Sequence, residues 1–465
     1  MHQPAANGRV RGGLRGPPPG AGRGWGLEIL RLKIGDWRLT QPEVIEYTLN
    51  NGLKVLLKPI HTAPVVSSWI WYRVGGRNEV PGKTGISHWV EHMMFKGTPT
   101  FPKGTIMLEV NRNGGVLNGF TGQDYTAYFE ILPADRLDLA LRIESDRMAN
   151  SVFDPQEVAS ERTVIISERE GNENNPEWAL YEEVMATAFR VHPYGHMVIG
   201  WKDDLHNITR DDLYHHYKMY YGPHNAVLIV VGDIDVPRVQ ARVEELFGPI
   251  PAGPPPPPVQ VKEPPQQSER RLVLRKPGTA AYFHAAYHAC AGTDDDAYAM
   301  LMLEAVLSGA SFGGGVATHR SARLYKALVE TEIAAHVSAH FQPSIDPAPI
   351  HFSGVVRAGR TLAEFEAALE REITRLLEEP PTEAELNRVK KQTRAQFAYT
   401  IERVSNQAQW LGYMEMLGDW RYFDTYADRL AAVTPADVQR VAQKYLRPEN
   451  RTVGWFEPRN DRDEG

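Results

Sequence analysis

The strongest constraint on this chain is that it repeats itself. Ile208-Thr-Arg-Asp-Asp-Leu213 resembles Val433-Thr-Pro-Ala-Asp-Val438, and beyond them Tyr220, Pro223 and Asn225 match Tyr445, Pro448 and Asn450. Every identical pair, Thr209/Thr434 and Asp212/Asp437 included, is offset by 225 residues. A constant offset over five identities points to an internal duplication. Each copy reads as a capped helix that runs through a proline turn into a strand. Between the copies, Pro251-Ala-Gly leads into five consecutive prolines, Pro254 to Pro258, the composition of an extended, semi-rigid linker. The expected fold class is therefore α+β, with two homologous α/β domains, each a mostly antiparallel sheet packed with helices. The boundaries expected are a flexible Gly/Pro/Arg-rich extension at 1–40, a first domain at 41–252, the linker at 253–269 and a second domain at 270–460.

Local patterns fill in this outline. Val44-Ile-Glu-Tyr-Thr-Leu, Asn51-Gly and Leu53-Lys-Val-Leu-Leu read as a hairpin, Val65 to Val74 and Ala226 to Gly232 as buried strands. The stretch Thr382 to Met416 reads as one long helix. Composition narrows the function classes. With 51 Lys and Arg against 58 Asp and Glu, the net charge of -7 gives no electrostatic reason to expect nucleic-acid binding. One cysteine, Cys290, excludes an intrachain disulfide and any all-cysteine metal site, and it reads as a packing residue. No apolar run approaches the ~20 residues that span a bilayer. The first 27 residues resemble an organellar presequence in being Arg-rich and free of acids, but their Gly and Pro content opposes an amphipathic helix. Without a secretory signal the expected location is cytoplasmic, with organellar targeting left open.

The sharpest chemical signal is Gly85-Ile-Ser-His88-Trp-Val-Glu91-His92-Met-Met-Phe95. On a helix His88 and His92 share a face, and Glu91 borders it. Two imidazoles so placed can bind one Zn²⁺ through neutral nitrogens, with a carboxylate beside the metal. Zinc lowers the pKa of a bound water to about 7, and Glu91 stands where it can take that proton. The apolar companions Trp89, Val90 and Met93 show that the rest of the helix packs on a core.

This segment resembles the inverted zinc motif of the pitrilysin/insulinase metallopeptidases, most closely the processing-peptidase-like members, and the resemblance covers about residues 41–457. In that family the third ligand is a Glu on a second helix about 76 residues beyond the last His. Glu168 stands at that distance, in Glu161-Arg-Thr-Val-Ile-Ile-Ser-Glu168, and Glu170 is a rival two residues out of register. The resemblance implies His88, His92 and Glu168 as ligands of one Zn²⁺ per chain, Glu91 as the base that activates the zinc-bound water, and Glu161 as the acid that orients a ligand. Asn118-Gly-Phe-Thr121 resembles the start of the family's edge strand, which implies that Asn118, Gly119, Phe120 and Thr121 bind an extended peptide by strand addition. The family usually has Ala where this chain has Gly119, which would loosen the edge. His192-Pro-Tyr-Gly195 resembles an architectural loop, and Pro193 and Gly195 oppose a second metal site at His192 and His196. Gly309 to Gly315 is glycine-rich but lacks the Lys-Ser/Thr of a phosphate loop.

The implied activity is zinc-dependent endopeptidase cleavage of short or unfolded peptides. One departure bears on partners. Self-sufficient family members carry an Arg, and seven residues later a Tyr, that reach the zinc site of the facing half. Aligning Arg323-Leu puts Val329 and His336 at those positions. The resemblance thus implies the zinc-bearing subunit of a heterodimer whose homologous partner supplies the Arg/Tyr pair. A homodimer using His336, and a non-catalytic scaffold subunit of a larger complex, are the alternatives.

Overall fold

The computed structural model describes residues 43–310 and 319–459. The extension expected at 1–40 lies outside the described residues, as does most of the glycine-rich stretch after Ala310. The first half contains β1 (Ile45–Thr48), β2 (Lys54–Pro59), β3 (Val65–Tyr72), α1 (Ile86–Met93), α2 (Thr105–Arg112), β4 (Val116–Thr121) and β5 (Thr126–Pro133). It continues with α3 (Leu137–Asn150), α4 (Pro155–Glu173), α5 (Pro176–Ala188), α6 (Lys202–Asn207), α7 (Arg210–Tyr220), β6 (Ala226–Gly232) and α8 (Val236–Phe247). No helix or strand falls in residues 251–268, where Glu263 accepts hydrogen bonds from the amides of Arg190, Val191 and His192. The second half holds β7 (Arg270–Pro277), β8 (Tyr282–His288), α9 (Ala297–Ser308), β9 (Ala334–Phe341), β10 (Pro349–Val356) and α10 (Leu362–Glu378). Last come α11 (Glu383–Thr400), α12 (Val404–Leu417), α13 (Tyr422–Ala432), α14 (Pro435–Tyr445) and β11 (Arg451–Arg459).

The strands form two sheets with the same topology. The first runs β1-β2-β6-β3-β5-β4 and the second β7-β11-β8-β10-β9. In each, one parallel pair (β2 with β6, β7 with β11) joins an otherwise antiparallel sheet, and only the first sheet has the extra hairpin strand β1. The duplicated residues do the same work twice. Thr209 and Asp212 form a capping box on α7, and Thr434 and Asp437 form one on α14. Asn225 Nδ2 donates to Tyr220 O at 2.9 Å and Asn450 Nδ2 to Tyr445 O at 2.8 Å, closing the two helix ends before β6 and β11.

One inner face of the first sheet, with Leu57, Ile70, Tyr72 and Val230, packs on Trp89 and Met93 of α1, Leu141 of α3 and Leu213 of α7. The other face is covered from across the chain. Helix α12 of the second half lies over β3 and β6, while α5 of the first half lies over β8 and β11 of the second sheet. Gly412 makes the first crossing possible, since a Cβ there would sit 2.1 Å from Trp71 Nε1. This exchange corrects the expectation of one helix over Thr382 to Met416. The chain breaks between α11 and α12, just as it breaks between α4 and α5, so that the second helix of each pair can cross over. At the break Asn406 Nδ2 donates to Thr400 O and Gln407 Nε2 to Ile401 O, satisfying carbonyls that a continuous helix would have bonded internally.

Candidate functional site

Helix α1 is short and enters the core with its N-terminus. The Glu79 carboxylate accepts from the amides of Gly85 (2.7 Å) and Ser87 (2.8 Å), so a buried acid satisfies donors that the helix cannot. Burial pushes Glu79 up to about 8 against those two bonds. Because Trp89, Val90 and Met93 face the core, the remaining side carries His88, Glu91 and His92 toward α4 and β4. Helix α4 begins with Pro155 behind Asp154, whose side chain accepts from Gln156 N and Glu157 N. Glu161 and Glu168, two turns apart, project from one side of it.

These side chains converge. His88 Nε2 and His92 Nε2 lie 3.9 and 3.8 Å from Glu168 Oε2. One ligand atom from each of the three residues falls within 4.8 Å of the others, the only such His/Cys/Asp/Glu group among the described residues. Those separations exceed hydrogen-bond length but suit three ligands each about 2.0–2.2 Å from a common ion. Burial drives His88 down to about 3, so it is a neutral imidazole with a lone pair to give. Desolvation lowers His92 too, but its bond from Nδ1 to Glu161 Oε1 (2.8 Å), together with the charges of Glu91, Glu161 and Glu168, outweighs that and raises it. That bond fixes the Nδ1 proton and directs Nε2 toward Glu168. Glu161 is itself held low, because its pairing with His92 and Lys96 outweighs its burial. The donor set fits a zinc ion.

Glu91 is buried and its pKa rises for that reason, although Thr121 Oγ1 donates to Glu91 Oε2 at 2.8 Å. It opens on a cleft of about 360 Å³ lined also by His92, Phe95, Lys96, Asn118 and Glu161. Strand β4 ends its sheet and forms the cleft's rim. Asn118 Oδ1 accepts from its neighbour's amide, Gly119 N, at 2.9 Å. Gly119 leaves no room for a side chain, for a Cβ there would meet Tyr128 at 2.8 Å and Phe95 at 3.1 Å. Phe120 sends its ring into a cluster with Trp69, Trp71 and Tyr125, leaving its main chain at the edge.

The other candidates lie elsewhere. Glu170 pairs with Lys202. His192 Nε2 lies 3.0 Å from Asp346 Oδ2, and His196 Nδ1 is 3.0 Å from Met197 O, so the two histidines have separate partners. Cys290 is buried and pushed up to about 12. Val329 ends a π-helical turn, and His336 lies on β9 opposite Val355. A second cavity, about 460 Å³ and walled by aromatic rings such as Trp71, Trp410 and Tyr413, has the His340–Glu304 pair in its lining but, among the described residues, no group of three His, Cys, Asp or Glu that could hold a metal. Sequence reading missed Lys96, whose i+4 spacing from His92 was a usable signal, and Glu79, for which only the need to cap α1 could have argued. No described helix is long and apolar enough to cross a membrane.

Comparison with known proteins gives a consistent picture. Residues 54–201 match the model for "Insulinase (Peptidase family M16)" and residues 207–393 that for "Peptidase M16 inactive domain". The zinc protease PqqE of Helicobacter pylori is 30% identical over 427 residues, 90% of this chain and 93% of that protein. A probable mitochondrial-processing peptidase subunit beta of Arabidopsis thaliana is 26% identical over 91% of this chain and 80% of its own length. A crystal structure of a protease from Helicobacter pylori superposes with a TM-score of 0.85 at 28% identity, covering 90% of this chain and all of that one. With both halves matched and a relative aligned along nearly its whole length, the chain belongs to the insulinase family, peptidase family M16.

Proposed function

We propose that this chain is a zinc-dependent endopeptidase that cleaves short or unfolded peptides, and that it is the metal-bearing subunit of a heterodimer. The observation that carries the reading is Glu91, set between two histidines that meet Glu168 and opening on a cleft rimmed by an edge strand. His88, His92 and Glu168 would hold zinc, which supplies Lewis acidity toward a peptide carbonyl and toward water. Glu91 takes the proton from the attacking water at its carboxylate and passes it to the departing amine. Thr121 holds Glu91 Oε2, and Glu161 keeps the His92 ring in the tautomer a ligand needs. An extended peptide adds to β4 through its main chain, which demands an unfolded segment and little side-chain identity. The relative named as a processing-peptidase subunit works by name as part of an assembly, and Val329 and His336 in place of an Arg/Tyr pair argue for a partner here. A missing oxyanion donor typically costs about 10²–10³ in rate, which a homologous partner would restore.

The test separates roles. Glu91→Gln should retain zinc by elemental analysis yet abolish peptide hydrolysis, whereas His88→Ala, His92→Ala and Glu168→Ala should lose zinc and activity together. A wild-type chain that binds no zinc, or that binds it and cleaves nothing with or without a homologous partner, would support the scaffold alternative.

A further inference from the structure

The hairpin loop between β9 and β10, residues 342–348, leaves the second half of the chain and grips the first. It is stiffened at its base, where Gln342 Nε2 donates to Tyr413 OH (2.6 Å), Tyr413 OH donates to Pro343 O (2.6 Å) and Gly292 N to Ser344 O (2.7 Å). Its tip makes the grip. Ile345 N donates to Asp124 Oδ2 at 2.9 Å, and Tyr194 OH, which accepts from Asp346 N at 3.2 Å, donates to Asp124 Oδ1 at 2.5 Å. The Asp346 carboxylate takes Arg77 Nε at 2.5 Å and His192 Nε2 at 3.0 Å.

Asp124 belongs to the turn, residues 122–125, that joins the cleft-rim strand β4 to β5. Arg77 holds that turn a second time, for its amide donates to Gln123 O at 2.8 Å while Gly76 N reaches Gly122 O at 3.2 Å. The residue before the turn is Thr121, the partner of Glu91. A contact made by the second half thus ends on Asp124, three residues from Thr121, the group that holds Glu91. Asp124 is 6% exposed, so its two bonds are made out of reach of competing water.

We propose that Asp346 and Asp124 are positioning residues, through which the second half of the chain sets the β4–β5 turn and with it the edge that receives the peptide. This rests on the proposed peptidase reading only for its kinetic consequence. The test uses the full chain with zinc. Asp346→Asn and Asp124→Asn should each speed amide hydrogen exchange in residues 116–125 by about tenfold, the scale of one lost charge-assisted hydrogen bond. Both should raise KM for an extended peptide by a similar factor, with zinc content and kcat little changed. Glu415→Gln is the control, since Glu415 bridges the halves through Lys54 (2.9 Å) and Arg73 (2.7 Å) without touching the turn. It should leave exchange at 116–125 as in the wild type. Unchanged exchange in both Asp variants, or equal acceleration by Glu415→Gln, would overturn the proposal. The exchange arm decides this even for a chain that cleaves nothing, so the failure of one reading is told apart from the failure of the other.

Discussion

Replacing Glu161 tests whether the site is organised as a metal centre or merely resembles one. The carboxylate is 5% exposed and divides its two oxygens between His92 Nδ1, at 2.8 Å, and Lys96 Nζ. Its loss has two separable consequences. Lys96 is partly exposed and can turn to water, so the ion pair's contribution to stability is small, about 1 kcal/mol. The imidazole is a different matter. Without an acceptor at Nδ1, neutral His92 is free to carry its proton on Nε2, the atom that faces Glu168. Partners of this kind typically govern about 10–100-fold in metal affinity. Glu161→Gln keeps an oxygen that can accept from Nδ1 but gives up the charge, and should weaken zinc binding about tenfold. Glu161→Ala keeps nothing and should weaken it about 100-fold, or about 2.7 kcal/mol. Competition against a fluorescent chelator at pH 7.5 reads both values, with thermal melting in parallel. A Glu161→Ala protein that binds zinc as tightly as the wild type would refute the argument. So would a Gln variant as defective as His92→Ala, since Glu161 would then act on folding and not on the ring.

Two further outcomes concern stability. Gly119→Ala should lower the unfolding free energy read from urea titrations by about 1–3 kcal/mol, and the midpoint with it, because the added methyl would press on Tyr128, whose ring lies 4.0 Å from the buried Arg147 guanidinium. An unchanged midpoint would mean that Tyr128 and Phe95 give way. The buried pair His284 and His351, 3.0 Å apart, is held below the ordinary histidine range by burial, His284 to about 4. Both are neutral in the fold, so below about pH 6.5 the unfolded chain gains protons that the fold refuses, and stability falls with pH toward 4. The slope is up to about 1.4 kcal/mol per pH unit for each group. His351→Gln should make the loss between pH 6.5 and 4 shallower in denaturant titrations, and an equally steep loss would show that this pair does not titrate as described.

What could be read from the sequence was what is encoded locally or by repetition. The His88–His92 spacing needs one helix turn, and the offset of Asn225 and Asn450 needs only two copies of one turn, so both were legible. Glu168 was not legible from pattern alone, since a Glu on a polar helix face has no distinguishing neighbour; it came through resemblance. The break between α11 and α12 was missed because nothing in Ile401-Glu-Arg-Val404 forbids a helix. It is imposed by where α12 must go, onto strands β3 and β6 of the first sheet, far earlier in the chain. Phe120 was placed at the cleft because strand alternation was not applied to it; its neighbours Gly119 and Thr121 face one side and its ring the other. The link from Ile345 to Asp124 spans 221 residues, and no periodicity reports a contact of that kind.

The duplication also bears on why the proposed peptide edge would lie in one half only. Strand β9 ends the second sheet as β4 ends the first. An uncovered edge in each half would be two templates for strand addition, and exposed edges invite unwanted pairing. In the second half the helix after β8 closes that edge. Ser308 Oγ of α9 accepts from Ala339 N at 2.5 Å and Glu304 Oε2 accepts from Phe341 N at 3.1 Å, so side chains take the amides an incoming strand would need. In the first half the helix after β3 is α1, and its polar side chains turn to Glu168, Glu161 and Thr121 instead of to the strand's main chain. The amide of Gly119 is held only by its neighbour Asn118, a bond a peptide carbonyl can replace at little cost. Two copies of one architecture thus differ where the helix polar groups are spent, on an edge in one and on a candidate metal centre in the other. That difference is what would make the first sheet the receptive one under the proposed strand addition, with the second half left to position it.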